Sequence, residues 1–214
     1  MTKLISVHTP KAGGTSLSKI LSEAFGAAYL GDYKDDPADP LSERNINPSA
    51  YFARNRMLPD GVDCIHGHFH PGQFRADDVF LFTILRHPID NIVSIYSFWK
   101  AHTDSTSALH AYFLAKKLSV LEMAQLPLLC FLYSASYFGG FDMARFDLIG
   151  RHECRRDALA ALGERMGIAL DATAHENATP PSSEREELLS DERLRTALKD
   201  ILAEDIRFYE RYAR

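Results

Sequence analysis

Leu4-Ile5-Ser6-Val7-His8-Thr9-Pro10-Lys11-Ala12-Gly13-Gly14-Thr15-Ser16-Leu17 is the stretch from which the fold follows. Its first five residues are short, apolar and rich in β-branched side chains, the composition of a buried strand. Thr9 to Gly14 is a turn. From Leu17 onward, Leu17, Ile20, Leu21, Ala24 and Phe25 recur at i, i+3, i+4, i+7 and i+8, which is one face of an amphipathic helix. Ser16, Ser18, Ser22 and Glu23 take the other face. The chain therefore opens as strand, glycine loop, helix.

The same alternation continues outward. Val79-Phe80-Leu81-Phe82-Thr83-Ile84-Leu85 is a continuous apolar run, as in a strand covered on both faces. Pro88 can occupy a helix's first turn, and Ile89, Ile92, Val93 and Tyr96 carry the helical period behind it. Further strands are expected at Val62 to His66 and Phe146 to Gly150. Leu118 to Phe141 is expected as a buried helix, because Glu122, Gln125 and Pro127 interrupt its hydrophobicity. Gly31 to Asp60 holds four prolines, Pro37, Pro40, Pro48 and Pro59, and reads as loop with a short helix near Tyr51 to Arg56. At the end, Ser190 is a candidate N-cap. Leu194, Leu198, Ile201, Leu202, Phe208, Tyr209 and Tyr212 form one stripe of a long helix, on which Asp205 reads as a carboxylate paired at the edge of the core. Strands alternating with helices predict one domain over 1–214. Its class is α/β, with a central, mostly parallel sheet flanked by helices.

Composition narrows the function. The 214 residues are 46% hydrophobic and 25% charged, and Lys plus Arg (24) against Asp plus Glu (29) leaves a net charge of −5. That balance argues against a nucleic-acid partner, although a local anion site remains open. Cys64, Cys130 and Cys154 fit no zinc or redox spacing, so reduced thiols and a cytoplasmic setting are expected. No signal-peptide core and no run approaching about 18 uncharged apolar residues is visible, so no transmembrane segment is expected.

Two motifs carry chemistry. Gly13 and Gly14 let the backbone turn tightly, and the helix that follows offers amides with no intrahelical acceptor at its positive end. Thr15 and Ser16 add hydroxyls and Lys11 adds a charge, so the turn suits a phosphate or sulfate. A tight turn with a solvated lysine is the plain alternative. The loop is not G-x-x-x-x-G-K-[ST], because Lys11 precedes both glycines. Secondly, Arg86 closes the buried strand and Ser94 follows eight residues later. A guanidinium at the carboxyl edge of a sheet can grip a phosphate bidentately, and the serine can donate to the same anion. An arginine–carboxylate pair and an exposed helix serine are the alternatives.

His8 to Leu17 resembles the 5′-phosphosulfate loop of sulfotransferases, and Arg86 through Ser94 resembles their 3′-phosphate motif. Phe146 to Glu153, and the last helix with Asp205 and Tyr209, continue the resemblance weakly; about a third of the chain is covered. The likeness is to the carbohydrate-type branch. It implies a P-loop-like, three-layer fold. The implied donor is 3′-phosphoadenosine 5′-phosphosulfate (PAPS), with transfer of its sulfuryl group to a hydroxyl-bearing acceptor, a glycan or small molecule, and no metal. Lys11 and the amides of Ala12, Gly13, Gly14, Thr15 and Ser16 would hold the 5′ end, and Arg86 and Ser94 the 3′-phosphate.

Ile65-His66-Gly67-His68-Phe69-His70 adds a further candidate. In the heparan 2-O-sulfotransferase-like branch a His-Gly-His after a strand supplies the base, which implies His68 as base and His66 as its support. Two other readings stand beside this: structural or surface histidines, and a zinc site of alternating histidines. The loop Asn177 to Ser183 sits where the family often closes over its donor. The rival functions are a P-loop nucleoside-triphosphate kinase-like enzyme and a non-catalytic nucleotide-binding protein. The cluster Arg151, Arg155 and Arg156 is either a glycan-facing groove or a solvated helix face.

Overall fold

A computed structural model of the chain describes residues 2–35, 37–104, 107–171 and 183–213. The opening is β1 (Lys3–His8), α1 (Gly14–Phe25) and β2 (Tyr29–Asp32), followed by α2 (Glu43–Ile46), α3 (Pro48–Ala53) and β3 (Arg56–Met57). Next come β4 (Cys64–Gly67), β5 (Phe74–Arg75), β6 (Val79–Leu85) and α4 (Pro88–Ala101). Short helices α5 (Ala108–Lys116), α6 (Val120–Ala124) and α7 (Pro127–Cys130) lead to a π-helical segment, Leu132–Tyr137. The last elements are β7 (Leu148–Arg151), α8 (Arg155–Met166), α9 (Ser183–Ser190), α10 (Glu192–Ile201) and α11 (Ala203–Tyr212).

Five strands form one sheet in the order β2-β4-β1-β6-β7, and every neighbouring pair is parallel. The register sets Leu4 beside Cys64 and Phe80, and Ile5 beside Ile65 and Leu81. Side chains alternate across a strand, so these rows point to opposite faces. Leu4, Cys64, Phe80, Phe82 and Ile84 pack with Leu17, Ile20 and Leu21 of α1 and Leu159 and Leu162 of α8. Ile5, Val7, Ile65, Leu81 and Leu85 pack with Ile89, Ile92 and Val93 of α4 and with Leu198 and Leu202. The result is three layers with a core on each face, which is why β6 reads as unbroken apolar residues. Each such fully buried Leu or Ile contributes about 1.5–3 kcal/mol.

Several local expectations shift. β4 begins at Cys64, two residues later than its β-branched start suggests, and β7 begins at Leu148. Before β7 the Asp147 carboxylate accepts the Leu81 N–H at 2.8 Å, taking the place of a ladder bond. The helix expected over Leu118 to Phe141 is in fact α6, α7 and the π segment. Ser119 and Glu122 form a capping box that starts α6, and Pro127 restarts the chain as α7. The C-terminal helix divides at Leu202, and Asp191 caps α10 in place of Ser190, accepting from Arg193 and Leu194 N–H. The short helix expected near Tyr51 lies at Pro48–Ala53, and β2 is a strand where none was expected. Of the loop Asn177 to Ser183, residues 177–182 lie outside the described residues, and Ser183 opens α9. All three cysteines are free thiols. Among the described residues no helix is long and apolar enough to cross a membrane.

Candidate active site

In a parallel sheet all carboxyl ends lie on one edge, and ligands bind there where the strand order reverses. Here the chain passes from β1 out to β2 and back to β4, then crosses to β6 and β7. Each strand ends on a polar or aromatic residue at that edge: Tyr33 after β2, His68 after β4, His8 of β1, Arg86 after β6 and His152 after β7. All five line one cleft of about 1320 Å³.

The β1–α1 turn forms its floor. Lys11 (φ 59°) and Gly13 (φ 84°) both adopt left-handed backbone, which folds the turn back onto α1. Gly13 is the N-cap and brings no side-chain acceptor, so nothing from the cap competes for the first-turn amides. A Cβ on Gly13 would stand 3.4 Å from Arg155 Nε and 3.6 Å from His152 Cδ2, which shows how closely these side chains crowd the turn. Lys11, Gly13, Gly14, Thr15 and Ser16 line the cleft. Ala12 is buried beneath the turn and its N–H donates to Thr9 O at 3.4 Å. Lys11 Nζ lies 4.2 Å over the Phe98 ring.

Arg86 meets the turn directly: its Nη1 donates to Lys11 O at 3.0 Å, while its buried Nε has no hydrogen-bond partner among the described residues. Its backbone is clamped by Tyr133, whose hydroxyl donates to Arg86 O at 2.9 Å and accepts from Arg86 N at 3.3 Å. Tyr133 is held in turn by Asp205, which accepts from Tyr133 N (2.8 Å), Ser134 N (2.9 Å) and Ser134 Oγ (2.6 Å). Asp205 is thus a buried carboxylate satisfied by the start of the π segment. Ser94 is buried on α4 and lines the cleft, and Asn91 of the same helix donates to Pro10 O at 2.8 Å. Glu153 links the final helix to this edge, accepting from Tyr209 Oη at 2.9 Å and from His87 N at 3.1 Å.

The histidines form a chain of rings. His66 is wholly buried and its Nδ1 lies 2.9 Å from Ser6 Oγ. It stacks on His8 at 5.4 Å between centroids, and His8 Nδ1 lies 3.1 Å from His68 Nε2. His8 and His68 reach the cleft, and His66 stands behind them. Gly14 is required by this packing, since a Cβ there would fall 1.8 Å from His8 Cε1. Gly67 is required as well, because its Cβ would lie 1.6 Å from Asp32 O on the neighbouring strand. Burial, aided by the neighbouring His68, lowers His66 to about 3, and burial with the Arg44 charge lowers His68 to about 4. Both rings are therefore neutral at neutral pH. Among the described residues no group of three or more His, Cys, Asp or Glu side chains is disposed to hold a metal ion.

Several contributors carry no local sequence signal. His8, Tyr33, Phe98, Trp99, His152 and Arg185 reach the cleft only through the fold. The arginine cluster divides: Arg155 and Arg156 line the cleft, whereas Arg151 donates from Nε (3.1 Å) and Nη2 (3.0 Å) to Ala213 O. Lys11 is pushed below its usual range by burial and then by Arg86 and Arg185, and Arg86 is lowered by burial and then by Arg185. Cations that weaken one another in this way gain from a polyanion placed between them.

Fold and site together define a parallel α/β protein with a cation-lined cleft at the carboxyl edge of its sheet. No family model and no curated protein matches the chain. Solved structures similar to it include the following two. One is a sulfotransferase from Alicyclobacillus acidocaldarius, at 14% identity and a TM-score of 0.43, covering 95% of this chain and 96% of that one. The other is mouse sulfotransferase SULT7A1 complexed with PAP, at 13% identity and a TM-score of 0.46, covering 100% of this chain and 90% of that one.

Proposed function

We propose that this protein is a sulfotransferase that moves the sulfuryl group of PAPS to an acceptor hydroxyl. The observation that carries this reading is that the Lys11 turn, Arg86, Ser94 and His68 all line one cleft. A donor with phosphates at both ends needs two anion sites in one crevice, and a kinase-like triphosphate site does not need the second. The buried, unpartnered Nε of Arg86 fits such an anion. The cleft's volume of about 1320 Å³ exceeds the roughly 300–1,000 Å³ of a one-ligand pocket, which leaves room for donor and acceptor together.

PAPS supplies an activated sulfuryl group. Lys11 and the amides from Gly13 to Ser16 hold its 5′ end and take up the charge that builds on the leaving phosphate oxygen. Arg86 and Ser94 hold the 3′-phosphate. His68 Nε2 lies 3.1 Å from His8 Nδ1; the tautomer of His68 that serves the transfer is the one with its proton on Nε2, shared with His8, and a lone pair on Nδ1 for the acceptor's proton. As that proton moves to His68, the acceptor oxygen bonds to sulfur and the bridging S–O bond to the 5′-phosphate breaks. His66 supports the ring stack from behind. The family resemblance points to a hydroxyl-bearing acceptor, a glycan or a small molecule.

Calorimetric titration with 3′,5′-diphosphoadenosine (PAP) tests the donor. Micromolar binding is expected, with AMP much weaker. Arg86→Ala should lose about 10–150-fold in PAP affinity, the worth of a charge-assisted hydrogen bond. Equal affinity for PAP and AMP would overturn the reading. His68→Ala should lower kcat by about 10²–10⁴-fold with PAP affinity nearly unchanged.

A further inference from the structure

Of the three imidazoles at the sheet edge, one touches both halves of the site. His8 ends β1 and lines the cleft. Its Nδ1 lies 3.1 Å from His68 Nε2. The same ring presses on the first residue of α1: a Cβ on Gly14 would fall 1.8 Å from His8 Cε1 and 2.1 Å from its Nε2. That Nε2 is buried and has no hydrogen-bond partner among the described residues. His66 meets His8 ring on ring, with its own Nδ1 beside Ser6 Oγ. His8 therefore stands between the β1–α1 turn and His68, with a hydrogen bond to His68 alone.

Burial, then the neighbouring His68 and His66 and the Lys11 charge, hold His8 well below the ordinary histidine range, so it is neutral and carries one ring proton. His68, at about 4, is neutral as well. Two neutral rings joined through these nitrogens have two arrangements. In one, His8 Nδ1–H donates to His68 Nε2, and the His68 proton sits on Nδ1, where no lone pair is left for an acceptor's proton. In the other, His8 carries its proton on Nε2 and accepts at Nδ1 from His68 Nε2–H, which leaves the His68 Nδ1 lone pair open. The potential at the turn selects between them. An empty turn is positive, from Lys11, the first-turn amides of α1 and Arg155 against Gly13, and it repels a proton on the adjacent Nε2. A phosphate seated there reverses that sign.

We propose, on the sulfuryl-transfer reading of the cleft, that His8 is a positioning residue that senses the turn, and that a 5′-phosphate bound there moves His68 to the tautomer able to accept a proton. In the switch one proton passes from His8 Nδ1 to His68 Nε2. His68 Nδ1 releases one to the cleft and His8 Nε2 takes one up, so the charge of the pair is unchanged. The base is competent only when a donor is in place.

Nitrogen NMR of protein carrying isotope-labelled histidine reports the tautomer directly, with His68→Gln to assign the His68 signals. Without ligand, His68 should carry its proton on Nδ1. Saturating PAP should move it to Nε2, changing the tautomer ratio about 5–150-fold, the size of an ordinary coupling between two sites. Adenosine 3′-monophosphate lacks the 5′-phosphate and should leave the proton on Nδ1. His8→Phe and the smaller His8→Leu remove both ring nitrogens, and PAP should then bind without changing the tautomer of His68. An Nε2 proton already present in the free protein would overturn the proposal. So would a PAP response that survives either His8 variant, or one that adenosine 3′-monophosphate matches. Calorimetry on the same samples separates the two readings. PAP that binds and leaves His68 unmoved overturns the tautomer switch alone; PAP that does not bind faults the donor reading, and the switch falls with it.

Discussion

Gly14 decides whether the site can form. Its hydrogen leaves space for the His8 ring, and the ring so placed meets His68 at 3.1 Å. Gly14→Ala forces a methyl into that ring, which must then shift from its place beside His68. A loss of about 1–3 kcal/mol is expected in urea denaturation, the usual cost of overpacking. Transfer activity should fall further than the stability loss explains, because the ring pair separates. Unchanged activity would show that His8 does not set the position of His68. At this scale much of the site was legible. Lys11, the two glycines, Arg86 and the His-Gly-His stretch stand out because their chemistry is local. His8 did not stand out as a partner of His68, because 60 residues separate them and only strand pairing joins their rings.

The π segment is the element on which the anion end depends. It has no cap of its own, and Asp205 supplies three hydrogen bonds to its first residues. Asp205→Asn replaces one acceptor oxygen with a donor and leaves a buried N–H or hydroxyl unmet. A cost of about 1–3 kcal/mol is expected from chemical denaturation. PAP affinity should fall with it, because Tyr133 no longer holds Arg86 still; a stability loss with unchanged affinity would break that link. Elements with a strong period, α1, β6 and α4, were readable from the sequence. β2 was not, since Tyr29-Leu30-Gly31-Asp32 is four residues long and contains a glycine. The greasy stretch after Leu118 misled because hydrophobicity marks burial, whereas the Ser119 cap and Pro127 mark where helices restart.

Across the whole molecule, buried imidazoles tie stability to pH. His66 titrates at about 3 and His68 at about 4, against an ordinary value of 6.5. Below pH 6.5 the unfolded chain takes up protons that the folded chain refuses, so stability falls as pH drops, while above 6.5 these groups change nothing. For fully buried His66 the slope is about 1.4 kcal/mol per pH unit. Scanning calorimetry should find Tm level from pH 8 to 6.5 and falling from 6.5 to 5. A Tm that rises over that lower interval would contradict the burial of the rings. The layered fold itself was readable, because alternating strand and helix patterns permit few other packings. The rest of the cleft's lining was not, since Tyr33, Trp99 and Arg185 belong to separate segments that meet only in the finished structure.

The clamp running from Asp205 through Tyr133 to Arg86 also orders events in time. During synthesis the glycine turn, both central strands and Arg86 emerge long before Asp205 does. Until α11 docks, Tyr133 lacks the carboxylate that holds it, and the backbone of Arg86 lacks its brace. The sheet edge therefore takes its final shape only when an element more than 100 residues further along the chain has packed against it.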